Sequence, residues 1–204
     1  MSLPVDTPYG KASGDNLPPY TSNIVSPGDA GMLAWTFDPV LCSSTFQPTG
    51  GTLYLAKMFI REQNEGALNF FWGVTTPGAT PTAGQNWAGL YSASRTLIGS
   101  SNIDSKVDDD GMVEGSINPG GGTVGVRIPN IPTFVWAALL FNAATTPTIV
   151  CGNTTFGDVG LANFGLFAFN SRYASAGTGL TTLPNTLGAF THIDTPFFVA
   201  LTAL

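Results

Sequence analysis

Charge is scarce in this chain of 204 residues: Asp, Glu, Lys and Arg together make up 10% of it, against roughly 25% in an average soluble domain. A surface solubilised by ion-pair networks is excluded, and hydroxyls must take that part. Cations are scarcer still. Seven Lys and Arg face 13 Asp and Glu, a formal charge of −6. Basic residues so few and so scattered cannot form the stripe that neutralises nucleic-acid phosphates, so no nucleic-acid partner is expected. No apolar run approaches the roughly 18 residues of a membrane-spanning helix; the longest, Phe134 to Phe141, has the length of a strand. A soluble protein without membrane insertion is expected. Met1 to Asp6 offers neither the basic nor the apolar segment that opens a secretory signal, and synthesis in a cytoplasm is expected. Cys42 and Cys151 stand far apart, with no CxxC and no neighbouring His cluster, which removes zinc. Two reduced, buried, small apolar residues are the expectation. No repeat of solenoid length recurs, and no coiled-coil heptad is present.

What the chain does hold is 43% hydrophobic residues, 14 Phe, 25 Gly and 15 Pro. A single domain of this size removes roughly 70% of its unfolded surface from water, enough for a core without disulfides or metals. Gly and Pro interrupt the sequence too often for amphipathic helices, and they bound short apolar and β-branched runs that read as strands. Such runs are Met32–Phe37, Thr52–Ile60, Ala67–Val74, Trp87–Tyr91, Arg95–Gly99, Met112–Ile117, Thr123–Ile128, Thr148–Cys151, Gly165–Phe169 and Phe197–Leu204. Ser92-Ala93-Ser94 has the length of a hairpin loop. The unalternating run Phe134–Phe141 follows Pro132 and reads as a central strand covered on both faces. Phe197–Leu204, opened by Pro196, is expected to pair inside the fold rather than fray. The fold class predicted is all-β: a two-sheet antiparallel β-sandwich, jelly-roll-like, spanning residues 29–204. Residues 1–28, with Pro4, Pro8, Pro18, Pro19 and Pro27, read as an extended arm.

Convergent polar groups are few. His192, in Thr191-His192-Ile193-Asp194, is the single histidine; it offers a base for a Ser-His-Asp hydrolase, but no G-x-S-x-G elbow accompanies it. A loop or half-buried histidine is the simpler reading. Asp104, Asp108, Asp109, Asp110 and Glu114 form the one acidic cluster. Its spacing is not that of an EF-hand, and adjacent aspartates ordinarily cap a solvent-facing turn, with trapped calcium as the alternative. Nothing selects a glycosidase pair from Glu62, Glu65 and Glu114. Asn118-Pro119-Gly120-Gly121-Gly122-Thr123 lacks the Lys of a phosphate loop and reads as a turn. Trp35, Trp72, Trp87 and Trp136 would stack sugars if they shared an exposed face, but each lies in an apolar strand and reads as core. No catalytic, cofactor-binding or metal-ligating residue is assigned, and no cofactor is expected.

Thr82-Ala83-Gly84-Gln85-Asn86-Trp87-Ala88-Gly89-Leu90-Tyr91, followed by Ser92-Ala93-Ser94-Arg95-Thr96-Leu97-Ile98, resembles a segment of minor tail and other virion proteins of tailed phages that infect actinobacteria. The strand Gly50-Gly51-Thr52-Leu53-Tyr54-Leu55-Ala56-Lys57 fits the same pattern, so the resemblance covers residues from about 50 to 99. Arg95 stands where a Gly is usual, which puts the turn type in question. The resemblance implies a non-enzymatic structural protein of a virion, a minor tail or tail-tip component with host contact, built on a β-sandwich and assembled in many copies. The implied partners are other virion proteins, copies of itself and a host-surface glycan. A capsid decoration or head-fibre protein and a glycan-binding lectin-like module are the alternatives.

Overall fold

In the computed structural model, which describes residues 26–61, 66–119, 125–128, 132–153 and 171–203, the apolar run ahead of Asn142 sits at the middle of the molecule. The strands of the described residues are β1 (Met32–Trp35), β2 (Cys42–Phe46), β3 (Leu53–Ile60), β4 (Gly66–Thr76), β5 (Ala79–Pro81), β6 (Trp87–Tyr91), β7 (Leu97–Asn102), β8 (Gly111–Ser116), β9 (Val126–Arg127), β10 (Thr133–Leu140), β11 (Ala143–Thr145), β12 (Thr148–Gly152), β13 (Tyr173–Ser175), β14 (Thr191–His192) and β15 (Val199–Ala203). Their pairings are all antiparallel.

Two sheets face each other. One runs β14-β13-β3-β10-β6-β7. The other is organised on β4, whose Trp72 pairs with Val199 of β15 on one edge and with Val113 of β8 on the other. β12 joins the β15 edge at Val74 and carries β2 outside it, while β1 lies outside β15. Between the sheets lies the main core, in which Phe70, Trp72, Val199 and Leu201 meet Met58, Ile60, Val135, Ala137 and Leu139. This is the all-β sandwich that the composition predicts.

β10 explains its own lack of alternation. Val135, Ala137 and Leu139 point into the main core, whereas Trp136, Ala138 and Leu140 point the other way into a second cluster with Leu53, Leu55, Tyr91 and Leu187. A sheet apolar on both faces has to be covered twice. The second cover is a strap, residues 176–190, whose Leu180, Leu183 and Phe190 pack on the outer face. The strap is tied down by backbone bonds from Ala176 to Leu53, Leu180 to Gly51 and Leu187 to Arg95, and by the Tyr91 hydroxyl donating to the Pro184 carbonyl at 2.9 Å. Burial pushes the Tyr91 phenol far above its ordinary value.

Several expectations are corrected. The strand placed at Arg95–Gly99 is Leu97–Asn102, because Arg95 belongs to the turn. Of Thr123–Ile128, the described residues form a strand at Val126–Arg127, and 123–124 lie outside them. β2, β5, β11, β13 and β14 went unforeseen: each is five residues or fewer and of mixed polarity, so its pattern is too weak to read alone. Cys151 is buried as expected, but Cys42 is only half-buried, on the edge strand β2; both are free thiols whose pKa burial raises. The arm up to residue 25 and the strand expected at Gly165–Phe169 lie outside the described residues. Ser26 to Gly28 belong to a closed turn in which the Asp29 carboxylate accepts from the Ser26 N–H and hydroxyl.

β15 is inserted between β1 and β4; Val199 and Leu201 at its inward positions, and Phe197 just before it, are fully buried. Burying each such side chain contributes about 1.5–3 kcal/mol, and a domain's whole stability is only about 5–15 kcal/mol. Deleting residues 197–204 is therefore expected to abolish the cooperative thermal transition, while Leu201→Ala lowers urea-unfolding stability by about 2–5 kcal/mol and leaves a folded protein.

Candidate functional site

The strap does not cover all of the outer face. β13 pairs with β3 only from Tyr54 to Ala56, and Lys57 turns its N–H to the Arg172 carbonyl as β13 departs. Beyond that point the outward residues of β3 are Lys57 and Phe59, and those facing them on β10 are Trp136 and Phe134 in direct cross-strand register. Phe59 remains 38% and Phe134 46% exposed. Both are exposed aromatic rings, on a part of this face that the strap leaves open.

A ladder of rings and cations runs along this ledge. The Arg61 guanidinium lies 5.3 Å from the Phe59 ring centre, and Phe59 and Phe134 are 4.8 Å apart. The Lys57 ammonium sits 5.1 Å from Phe134 and 5.0 Å from Trp136. Trp136 meets Phe190 edge to face at 4.9 Å, and Arg95 closes the row 4.4 Å above Phe190. Each cation–π contact contributes about 0.5–1 kcal/mol at an exposed site. Burial and then the repulsion of Arg95 hold the Lys57 ammonium below the usual lysine range. Among the described residues the ion pairs are Lys106 with Asp109 and, loosely, His192 with Asp194; Lys57, Arg61 and Arg95 take part in neither. Beside the ledge a groove of about 510 Å³ opens toward β1, lined by Trp35, Pro27 and Arg172 as well as Lys57, Phe59 and Phe134. Four of the chain's seven basic residues, Lys57, Arg61, Arg95 and Arg172, thus gather on one side of a protein whose net charge is −6.

Arg95 is held there at a conformational cost. Its φ is +70°, and the turn closes through Arg95 N–H to the Ser92 carbonyl and Ser92 N–H to the Thr96 carbonyl. This left-handed position normally takes glycine in such a hairpin. On the turn type that this residue put in question, the structure shows arginine in the glycine conformation, which costs an L-residue roughly 1–2 kcal/mol.

The other sequence candidates fare differently. Ser171 Oγ stands 2.8 Å from His192 Nδ1, and Asp194 Oδ1 4.0 Å from Nε2. The letters of a hydrolase triad meet, but Ser171 is fully buried, where no substrate carbonyl can reach it. The acid is also loose and the ring reversed relative to the arrangement in which Nε2 serves the serine. Of the acidic cluster, Asp109 pairs with Lys106 at 3.1 Å, and Glu114 stands exposed on β8. Among the described residues no three acidic, His or Cys side chains converge as a metal site would require. Asp104 is occupied elsewhere: its carboxylate accepts from Gly84 N–H at 2.6 Å, from Asn86 N–H at 3.2 Å, and from the Asn86 and Asn102 amides at 2.9 and 3.2 Å.

That clamp shows what the Thr82–Tyr91 stretch does. Buried Asn86 donates to the Thr82 carbonyl and accepts from Asn142 N–H, while the Asn142 amide bonds the carbonyls of Gln85 and Leu180, joining the loop to β10's end and to the strap. Gly89 leaves room for Leu183 of the strap. Trp72 and Trp136 are core, as expected, whereas Trp35 and Trp87 are half-buried. Glu62, Glu65 and Gly120 to Thr123 lie outside the described residues. Sequence reasoning missed the two exposed Phe; the available signal was that Lys57 and Arg61 bracket Phe59 at alternate positions, the outward set of one strand.

Two outcomes follow from this geometry. Arg95→Gly and Arg95→Ala both lose the contact with Phe190, but only glycine relieves the left-handed backbone, so the Gly variant is expected to be more stable than the Ala variant by about 1 kcal/mol in urea unfolding. For Asp104, burial pushes the carboxyl upward, yet the donors from Asn86, Gly84 and Asn102 together outweigh it and hold the folded-state pKa below the ordinary value. The stabilisation is complete above the unfolded pKa of about 3.9 and disappears as pH falls through the lower folded value. Urea midpoints followed downward from pH 5 are expected to fall more steeply for the wild type than for Asp104→Asn.

Compared with known proteins, the chain matches no family model, and no curated protein is significantly similar to it in sequence.

Proposed function

We propose that the chain is a non-enzymatic structural component of a phage particle, a minor tail or tail-tip protein that presents one face to the host surface and otherwise contacts virion proteins and copies of itself. The observation that carries this reading is the resemblance over residues 50–99, whose most distinctive part is the Asn86-centred clamp. A clamp joining loop, central strand and strap is what a rigid building block needs. On this reading the protein is made in the host cytoplasm and resides in the virion, with the Pro-rich residues 1–28 as its tether to neighbours. Capsid decoration is the alternative location.

A lectin-like role is the second reading, and the exposed rings of Phe59 and Phe134 favour it. The particle itself distinguishes location. Gold-conjugated antibody against the purified protein, applied to particles from the source that encodes the chain, is expected to decorate the tail tip. Label confined to the head transfers the protein to the shell, and particles that carry neither label nor its peptides by mass spectrometry overturn the virion assignment.

A further inference from the structure

We propose that the ledge binds an acidic polysaccharide, with the rings of Phe59 and Phe134 stacking on sugar faces and Lys57 and Arg95 holding an anionic substituent between them. The proposal deepens the surface-contact part of the function above. It stands on the ledge whether or not the protein resides in a virion.

The rings come first. Phe59 and Phe134 lie directly opposite each other on two hydrogen-bonded strands, so their positions are fixed by backbone pairing rather than by loop conformation. Rigid aromatic surface binds with little further loss of conformational entropy, and the C–H faces of pyranose rings are suited to it. Neutral sugars would need no more than this.

The cations narrow the class. Lys57 and Arg95 repel each other, and among the described residues no carboxylate accompanies either. Arg95 moreover occupies a backbone position that glycine would take without strain. The contact with Phe190 offsets only part of that strain, strain kept at an exposed turn points to a functional position, and an anion seated between two like charges supplies what is missing. The adjoining groove of about 510 Å³ falls within the roughly 300–1,000 Å³ of small-ligand sites, and its Arg61 extends the positive rail for successive residues of a chain. A second copy of this protein fits less well. The two half-exposed rings offer on the order of 150 Å² of apolar surface, far below the roughly 800 Å² per partner of a stable interface.

The test uses the full-length protein with four polymers: polygalacturonate and dextran sulfate as acidic polysaccharides, dextran as a neutral one, and polyglutamate as an anion without sugar. Titration calorimetry is expected to show binding to at least one acidic polysaccharide, weakened by added salt, and none to dextran or polyglutamate. Phe59→Ala with Phe134→Ala, and separately Arg95→Gly, each lower the affinity at least tenfold, while Arg127→Ala, an exposed cation on β9, leaves it unchanged. Thermal melts that stay cooperative exclude misfolding, and Arg95→Gly is expected to melt no lower than Arg95→Ala while binding as poorly. Failure of both acidic polysaccharides to bind, equal binding of polyglutamate, or affinity indifferent to these substitutions overturns the proposal. An oligomer in solution that dissociates on removing the two Phe rings also overturns it, by making the ledge a contact between copies. None of these results bears on where antibody labels the particle, so the two proposals fail separately.

Discussion

Everything in this molecule follows from a six-stranded sheet that is apolar on both faces. β10 carries Val135, Ala137 and Leu139 on one side and Trp136, Ala138 and Leu140 on the other, all of them buried. One face is satisfied by the sheet built on β4. The other is covered by an irregular strap, which must satisfy its own backbone while doing so. The polar residues on the strap side meet that demand: Asn142 bonds Leu180, Tyr91 bonds Pro184, and Arg95 and Leu53 accept from strap N–H groups.

A strap is shorter than a sheet, and the place where it ends becomes the site. Past Phe190 the outer face carries Lys57 opposite Trp136 and Phe59 opposite Phe134. Among the described residues these cations lie over rings rather than beside carboxylates, and burial holds the Lys57 ammonium below the usual lysine range. The cover that stabilises the fold thereby also delimits the exposed surface. The contrast with Ser171 and His192 is one of access: their hydrogen bond of 2.8 Å involves a hydroxyl sealed away from solvent, while the ledge is an open surface.

Much of the fold was legible because burial leaves a mark on composition. The uninterrupted run from Phe134 to Phe141 announced a strand covered twice, and Phe197 onward announced an internal strand. The hairpin around Ser92-Ala93-Ser94 was legible from its length, although its arginine concealed a glycine-like backbone. Short strands such as Cys42–Phe46 and Tyr173–Ser175 were not, since three to five residues of mixed polarity have no period of their own and become strands only because a neighbour offers its edge. Thr82–Tyr91 stood out as a motif, but its role as a clamp depends on Asn142 and Asp104, which approach it only in the folded chain.

The sequence by itself determined the class of the fold, the scarcity of charge and the doubly buried central strand, because hydrophobicity, periodicity and turn residues act locally along the chain. Which cations would share a face was decided only in three dimensions. Lys57, Arg61, Arg95 and Arg172 span 116 positions in the chain, and they meet because β3, the β6–β7 turn and the residue preceding β13 converge around the end of the strap. Cross-strand register and the reach of that strap select the exposed rings from 14 phenylalanines, and neither property belongs to any single stretch of sequence.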